Sequence, residues 1–389
     1  MKYHALVVIF ILSYCCKTAF AADNWNIHGF VAQGIIQAEG SNFVNDEGDT
    51  SLELTEVGLN ATYRINNKLR IAGQAVYLNG GNRFANGPRI DHLFLDWQMY
   101  NTLDSHVNLY LGKIKNYHRL HSATRDVPHT RPSIILAQSL YIDVFRDVNI
   151  GSDGALFKGL TTNRFGEWEF NWNYGVASIS SDQTKLFFAD GASGELDLAR
   201  EHQGSIYWRP SESNWQFGSS FVNATFEYEQ GENDPFADGQ AQTKGHYFNA
   251  RYFGEYYTIT AEYIRLRSIV NGLIAPNVYS DTTGEGAYLE GQFYFTPTLS
   301  GLIRVDIYDR NVEDRSGERL AAQGIPAYFG YMDQLTLGLS WNIAPKWRLQ
   351  GEVHRVKGTG RLAPIIVPDI ANNNQEYWNI WALQLMYWF

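Results

Sequence analysis

The sequence predicts a transmembrane antiparallel β-barrel of about sixteen strands. Many short segments alternate apolar and polar residues, and no stretch beyond the N-terminal region reaches the ~18 apolar residues of a membrane helix. The connections between these segments alternate in length, one short and the next long. A two-residue period gives each strand one apolar and one polar face, which suits a barrel with lipid outside and water inside or a half-buried soluble sheet.

The first 21 residues have the features of a secretory signal peptide. A basic Lys2 precedes an apolar run over 5–12, and the segment ends in Ala19-Phe20-Ala21. We therefore expect cleavage near Ala22 and a mature chain of 22–389 that forms a single domain, a transmembrane β-barrel.

Composition excludes several classes of function. Cys15 and Cys16 are the only cysteines and lie within the predicted signal peptide, so the mature chain has no thiol for a disulfide, a metal site or catalysis. Loss of Lys2 and Lys17 would change the formal net charge from -10 to -12, which argues against nucleic-acid binding. The histidines His118, His121 and His129 lack metal-ligand spacing, and we expect no metal and no cofactor.

The predicted strands cover most of the mature chain. They are 25–38, 51–65, 68–78, 89–100, 105–113, 153–162, 167–178, 195–208, 214–228, 243–253, 256–267, 285–295, 299–309, 332–343, 346–357 and 376–389. A soluble sandwich has no reason to keep its long loops at one end, whereas outer-membrane barrels have short periplasmic turns and longer extracellular loops. The alternation therefore favours the membrane barrel.

The last strand has the features of an edge that needs a partner. Tyr377, Trp381, Leu383 and Leu385 share one apolar face, and the chain ends at Phe389. An unpaired apolar edge invites aggregation, and closure of a barrel removes it. We expect this strand to pair with the strand that begins at Trp25.

The third long connection, 114–152, is the candidate functional segment. It joins apolar residues such as Ile134 and Tyr141 to many charges, so we expect it to fold against the barrel wall. Together with charges expected by strand parity to face the lumen, it supplies the candidate pore constriction. The candidate residues are Arg119, Arg125, Asp126, Arg131, Asp143, Arg146, Asp147, Arg70, Lys158, Arg304 and Arg348.

In these features the chain resembles the sixteen-stranded general and substrate-specific porins of Gram-negative bacteria. Further motifs that carry the resemblance are 111–115 leading into Arg125-Asp126-Val127-Pro128, 152–155 at the start of the next strand, and Phe389. The resemblance implies that the loop after strand five folds inward as a constriction, that the protein is a homotrimer in outer-membrane lipid, and that Phe389 addresses the outer-membrane assembly machinery. Six Lys or Arg against four acids in 113–153 differ from an acidic constriction loop and argue against strong cation selectivity.

The function predicted from these observations is passive diffusion of small hydrophilic solutes and ions with weak charge selectivity. A channel selective for a small anion or sugar, with Tyr117, Tyr141 and Phe145 as a track, is the main alternative. A surface receptor or adhesin is a further alternative. An enzyme is not expected, because the sequence has no Gly-x-Ser-x-Gly elbow and no metal-ligand spacing.

Overall fold

Sixteen antiparallel strands form one closed barrel in the computed structural model, which describes residues 24–146 and 151–389. The strands are β1 Trp25–Glu39, β2 Thr55–Arg64, β3 Leu69–Asn79, β4 Gly87–Asn101, β5 Ser105–Lys115, β6 Gly151–Asn163, β7 Gly166–Ser178, β8 Glu195–Pro210, β9 Trp215–Glu229, β10 Gly239–Phe253, β11 Tyr257–Gly272, β12 Tyr279–Tyr294, β13 Leu299–Asp309, β14 Tyr331–Ala344, β15 Trp347–Lys357 and β16 Tyr377–Trp388. Each strand pairs with its neighbours in sequence, and β16 pairs with β1. The predicted signal peptide lies outside the described residues.

All sixteen predicted strands are present, and the largest differences lie in β11 and β12. β11 extends to Gly272 and β12 begins at Tyr279, so most of the loop predicted over 268–284 belongs to strands. Arg267 donates to both carboxylate oxygens of Asp281, at 2.8 and 2.6 Å, across this pair. The hairpin is polar here, and the hydropathy pattern that marks a lipid-facing strand is therefore missing from the sequence.

The two faces of the strands differ in chemistry as predicted. On β14, Leu335, Leu337 and Leu339 are 43–50% exposed, whereas Gln334 and Thr336 are almost completely buried. Because the sheet is closed, the exposed apolar face is the outside and the polar face is the interior. The interior polar residues are nevertheless buried, so other parts of the chain cover them.

Connections separate cleanly between the two ends of the barrel, which we call the short-turn end and the long-loop end. The eight long loops are 40–54, 80–86, 116–150, 179–194, 230–238, 273–278, 310–330 and 358–376. Among the described residues, α1 (Ser181–Phe187) lies in the fourth long loop and α2 (Glu318–Ala322) in the seventh, with 3-10 helices at Gly81–Arg83, Pro128–Thr130, Asp143–Phe145 and Ala327–Gly330. None of these described helices is long and apolar enough to cross a membrane.

The terminal strand closes the ring as the sequence predicts. Phe389 and Gly29 exchange backbone hydrogen bonds of 2.9 and 3.3 Å, and the pairing runs from Phe30 opposite Trp388 to Glu39 opposite Asn379. A Cβ on Gly29 would lie 2.5 Å from the Phe389 ring, so a glycine lets the ring lie over the first strand. Among the predicted lipid-facing residues of β16, Tyr377, Trp381, Leu383 and Leu385 are 40–48% exposed, and Tyr387 is only partly exposed.

Candidate functional site

The described part of the third long loop is joined by hydrogen bonds to polar side chains of several strands. We call its described part, residues 116–146, the third-loop segment. Asn116, Ser139 and Tyr141 are fully buried in it, and Arg125 is 2% exposed. An exposed loop would keep such groups in water. The segment therefore belongs to the packed part of the protein.

The beginning of the segment runs along β7, β8 and β9. Ser205 and Tyr207 each donate a hydrogen bond of 3.0 Å to the carbonyl of Tyr117, and Ser220 donates to the carbonyl of His118. Asn173 of β7 donates to Asn116 at 3.2 Å. These donors belong to the polar faces of their strands.

The middle of the segment lies against β15. Glu352 accepts hydrogen bonds from the backbone N–H groups of Ile134 (2.5 Å) and Ile135 (3.2 Å). Gln350 donates to the carbonyl of Pro132 at 2.9 Å, and Arg348 donates to the carbonyl of His129 at 3.1 Å. One strand thus holds the segment through three consecutive interior side chains.

The segment then reaches β13 and β11. Asp306 accepts from the N–H of Ser139 at 3.2 Å, and Glu262 accepts from the hydroxyl of Tyr141 at 2.5 Å. Glu262 also accepts from the N–H of Leu120 at 3.2 Å, so it joins two distant parts of the segment. Charge-assisted bonds of this kind are stronger than neutral ones, and here they lie away from water.

A buried charge cluster fixes the segment to β2. Glu56 accepts from Arg131 at 2.5 Å and from Arg146 at 2.9 Å. Asp126 accepts from Arg146 at 2.7 Å and from Arg89 at 2.8 Å. Both carboxylates of the cluster therefore have arginine partners. A buried carboxylate needs such a partner, because an unpaired charge is costly to bury.

Arginines and burial set the protonation of the segment. Burial raises the pKa of Asp126, but Arg146 and Arg89 outweigh it and hold this pKa well below its usual value. Burial, followed by the charges of Arg348 and Arg131, lowers the pKa of His129 to about 4. Burial likewise lowers the pKa of His121 to about 3. Asp126 is thus charged and both histidines are neutral near pH 7.

The structure brings five of the eleven sequence-predicted site residues together in or beside this cluster. Arg125 donates to Asp143 at 2.7 Å, beside the cluster that contains Asp126, Arg131 and Arg146. Arg304 of β13 donates to Ser133 (2.9 Å) and to the carbonyl of Ile135 (2.8 Å). Asp147 lies outside the described residues.

Arg119, Arg70 and Lys158 have other partners. Arg119 donates to the carbonyl of Leu140, with its guanidinium 5.0 Å from the ring centre of Tyr141. Arg70 pairs with Asp96. Lys158 pairs with Glu169 at 2.9 Å and lies 4.1 Å from the ring centre of Tyr117.

Sequence reasoning missed the residues that anchor the segment. Strand parity places Glu56, Glu262, Asp306 and Glu352 on the interior face, yet it gives no sign that they accept bonds from a loop. Tyr141, predicted as part of an aromatic track, is fully buried and instead anchors the segment to Glu262.

The fourth and eighth long loops meet over the long-loop end. The N–H groups of Ile365 and Ile366 donate to the carbonyl of Phe187 at 3.0 and 2.8 Å. The eighth loop joins β15 to β16 and the fourth joins β7 to β8, so the two arise on opposite sides of the ring. Arg361 extends from the eighth loop to the carbonyl of Ser139 at 3.0 Å. The eighth loop therefore crosses the mouth above the third-loop segment.

A cavity of about 470 Å³ opens at the short-turn end between β2 and β5. Its lining residues are Arg64, Asn66, Asn67, Lys68, Leu69, Arg70, Asp96, Gln98, His106, Asn108 and Tyr110.

Within the ranges 24–146 and 151–389, no cluster of three or more His, Cys, Asp or Glu side chains could hold a metal ion.

The fold is that of the sixteen-stranded outer-membrane porins. OmpT of Vibrio cholerae in its trimer form superposes with a TM-score of 0.58 at 11% identity, over 94% of this chain and 99% of that one. The anion-selective porin of Comamonas acidovorans gives 0.56 at 12% identity, with the same coverage of both chains. The channel DcaP of Acinetobacter baumannii gives 0.55 at 11% identity, over 94% and 97%. No family profile matches the sequence, and no curated protein matches it.

Proposed function

We propose that this protein is an outer-membrane porin, a water-filled channel for passive diffusion of small hydrophilic solutes and ions. A closed sixteen-stranded barrel is wider than its wall side chains can fill, so its permeability depends on what enters the interior. Similarity in fold to porins of known structure supports this function. In this proposal the protein is a channel and not an enzyme.

The third-loop segment is the constriction of this channel, folded into the lumen. The observation that carries this proposal is its simultaneous attachment to Glu56 of β2 and Glu262 of β11, which lie on nearly opposite sides of the ring. A segment can bond to the polar faces of opposed strands only from within. The constriction then comprises the predicted set Arg119, Arg125, Asp126, Arg131, Asp143, Arg146, Asp147, Arg70, Lys158, Arg304 and Arg348.

Paired charges support weak charge selectivity. Selective pores use rings of one sign at the narrowest point. Here Arg125 is matched by Asp143, and Arg131 shares Glu56 with Arg146, which also pairs with Asp126. Three of the four arginines of the segment are therefore paired with carboxylates, which weakens the field that would sort cations from anions.

A channel selective for a small anion or sugar is the second candidate. The crossing of the mouth by the eighth loop favours it, because a solute must pass between this loop and the third-loop segment. Such a narrow route favours solutes with the correct shape. Block of the current by micromolar concentrations of one solute would distinguish this function from general diffusion.

The proposal includes the cellular setting. A cleaved signal peptide over 1–21 takes the chain across the inner membrane, and assembly machinery that recognises the strand ending in Phe389 inserts it into outer-membrane lipid. The apolar outer face, with Leu335, Leu337 and Leu339 exposed, is suited to lipid contact. A homotrimer is the expected assembly, and a neighbour of similar fold is known in a trimer form.

Reconstitution into a planar bilayer tests the proposal. We expect stepwise conductance increments, a small reversal potential in a salt gradient, and loss of the increments when the barrel is heat-denatured. Folded barrel that inserts into the bilayer but passes no current would overturn the channel function. A large reversal potential would be consistent with a channel but would contradict weak charge selectivity.

A further inference from the structure

We propose that the cavity at the short-turn end binds a small organic anion through Arg64 and Lys68. This site lies outside the third-loop segment and goes beyond a general diffusion channel. Binding there can be measured on the folded barrel whether or not it conducts. The ligand class is a small solute that carries a carboxylate or phosphate group.

The cavity has more cations than available carboxylates. Arg64, Lys68 and Arg70 line it, and Asp96 is the one carboxylate among its described lining residues. One oxygen of Asp96 accepts from Arg70, and the other accepts from Asn108 at 2.5 Å. Asp96 is therefore already engaged and is 2% exposed.

Arg64 and Lys68 have no carboxylate partner among the described residues. Arg64 lies directly opposite Arg70 in the pairing of β2 with β3, so both side chains extend from the same interior face. Like charges directly opposite each other on a sheet are destabilising. A bound anion would relieve this repulsion, because it would bring negative charge beside Arg64.

The remaining lining residues suit an organic anion. Asn67 and Gln98 carry amide N–H donors, Tyr110 carries a hydroxyl, and Leu69 offers an apolar surface. A volume of about 470 Å³ lies within the range of small-molecule pockets, roughly 300–1,000 Å³, and exceeds the need of a simple inorganic ion. Arginine presents a planar set of donors that matches carboxylate and phosphate oxygens.

Other paired charges near this end do not offer the same site. Lys158 is engaged by Glu169 at 2.9 Å, and Arg209 pairs with Glu167. These cations already have carboxylates, as Arg70 does, whereas Arg64 and Lys68 remain available to a solute. The location at the short-turn end makes the site reachable from that side of the barrel.

Calorimetric titration of the folded barrel in detergent at low ionic strength tests the site. The probes are glucose 6-phosphate, succinate, inorganic phosphate and, as the neutral counterpart, glucose. We expect the organic anions to bind and glucose to give no heat. Inorganic phosphate alone binding as tightly as glucose 6-phosphate would contradict the organic ligand class.

Charge variants locate the site. The double variant R64Q/K68Q should weaken binding of glucose 6-phosphate at least tenfold. The matched control R164Q/K346Q removes the same charge from two other short turns and should leave binding unchanged. D96N should strengthen binding severalfold, because it removes the negative charge that competes for Arg70.

Besides equally tight binding of inorganic phosphate, three outcomes would overturn the proposal. They are an absence of binding to the original protein, equal weakening in both double variants, and no gain in D96N. The folded state of each variant is checked by its heat-dependent mobility on a gel, so a loss of binding in folded R64Q/K68Q cannot arise from misfolding.

Discussion

The ring of His129 stacks on the ring of Trp388, with centroids 4.8 Å apart and an angle of 13° between the planes. This contact joins the third-loop segment to the last strand of the barrel. Trp388 is an apolar residue at a position of β16 where the alternation predicts an interior side chain. The contact explains it, because the Trp388 ring packs on the loop and not on lipid. Barrel closure and loop position are therefore linked through these two rings.

Acid is expected to release the third-loop segment. The pKa of His129 is lowered from 6.5 to about 4 in the folded protein. Between pH 6.5 and 4, His129 therefore binds a proton more readily when the loop is undocked than when it is docked. Docking is therefore fully stable above pH 6.5 and weakens as the pH falls through about 4. The pKa of Asp126 is also lowered, and its contribution is lost at lower pH still. Single-channel conductance against pH should be constant from pH 8 to 6.5 and become larger and noisier towards pH 4.

The variant H129N should remove part of this pH dependence. The matched control H246N changes an exposed histidine of β10 and should retain all of it. A conductance that does not change between pH 7 and 3.5 would contradict the assignment of these groups to loop docking.

The variant E56Q should weaken the attachment of the third-loop segment to β2 and leave its contacts with the other strands in place. Glu56 holds both Arg131 and Arg146 in a buried site, and breaking a buried ion pair costs roughly 3–5 kcal/mol. E285Q is the matched control, because Glu285 also contacts two arginines, Arg265 and Arg315, which are 58% and 52% exposed. Exposed pairs contribute only about 0–1 kcal/mol. We expect a lower melting temperature and a noisier current for E56Q, and almost no change in either for E285Q.

A disulfide between the fourth and eighth loops should lock the mouth. In F187C/I366C the new thiols replace residues whose backbones are joined by a 2.8 Å hydrogen bond. The mature chain is expected to contain no other cysteine, so the cross-link has no competing partner. Oxidation should reduce conductance fluctuations, and a reductant should restore them. The control pair F187C/I370C replaces residues without that backbone bond and should cross-link less efficiently. Equal cross-linking of both pairs would show that the two loops do not hold this contact.

Removal of Tyr387 to Phe389 should prevent barrel closure. These residues supply the final pairs with β1, including the two hydrogen bonds between Phe389 and Gly29. We expect the truncated chain to lose heat-modifiable trimers in outer-membrane fractions. F389Y retains the ring and the strand and should assemble normally. Normal trimers from the truncated chain would contradict this role of the terminal strand.

The fold was largely predictable from the sequence because alternate side chains of each strand face lipid and the barrel interior. In β14, for example, the apolar Leu335 is exposed on the outside and the polar Gln334 is buried inside. The strand ends were predictable only where apolar residues mark them. β11 and β12 continue beyond that region as a polar hairpin joined by Arg267 and Asp281, and their sequence gives no hydropathy signal there.

The sequence named candidate residues for the site, but it did not predict their contacts. The charges of 114–152 and strand parity identified Arg125, Asp126 and Arg131 as candidates. Which wall residue each would meet depends on the path of the loop, and no local pattern encodes a bond between residues as distant as Arg131 and Glu56. The same applies to Phe187 and Ile366, whose contact depends on two loops meeting across the ring.

The most direct test of the constriction is the conductance of a barrel without the third-loop segment. Lys115 pairs with Gly151 in the β5–β6 register, so a short glycine and serine turn can replace 117–149 and close the hairpin. In planar bilayers we expect the shortened protein to give single-channel steps several times larger than the original, with faster passage of larger neutral sugars. Equal step sizes for two folded, inserted barrels would contradict the central claim that this segment sets the width of the channel.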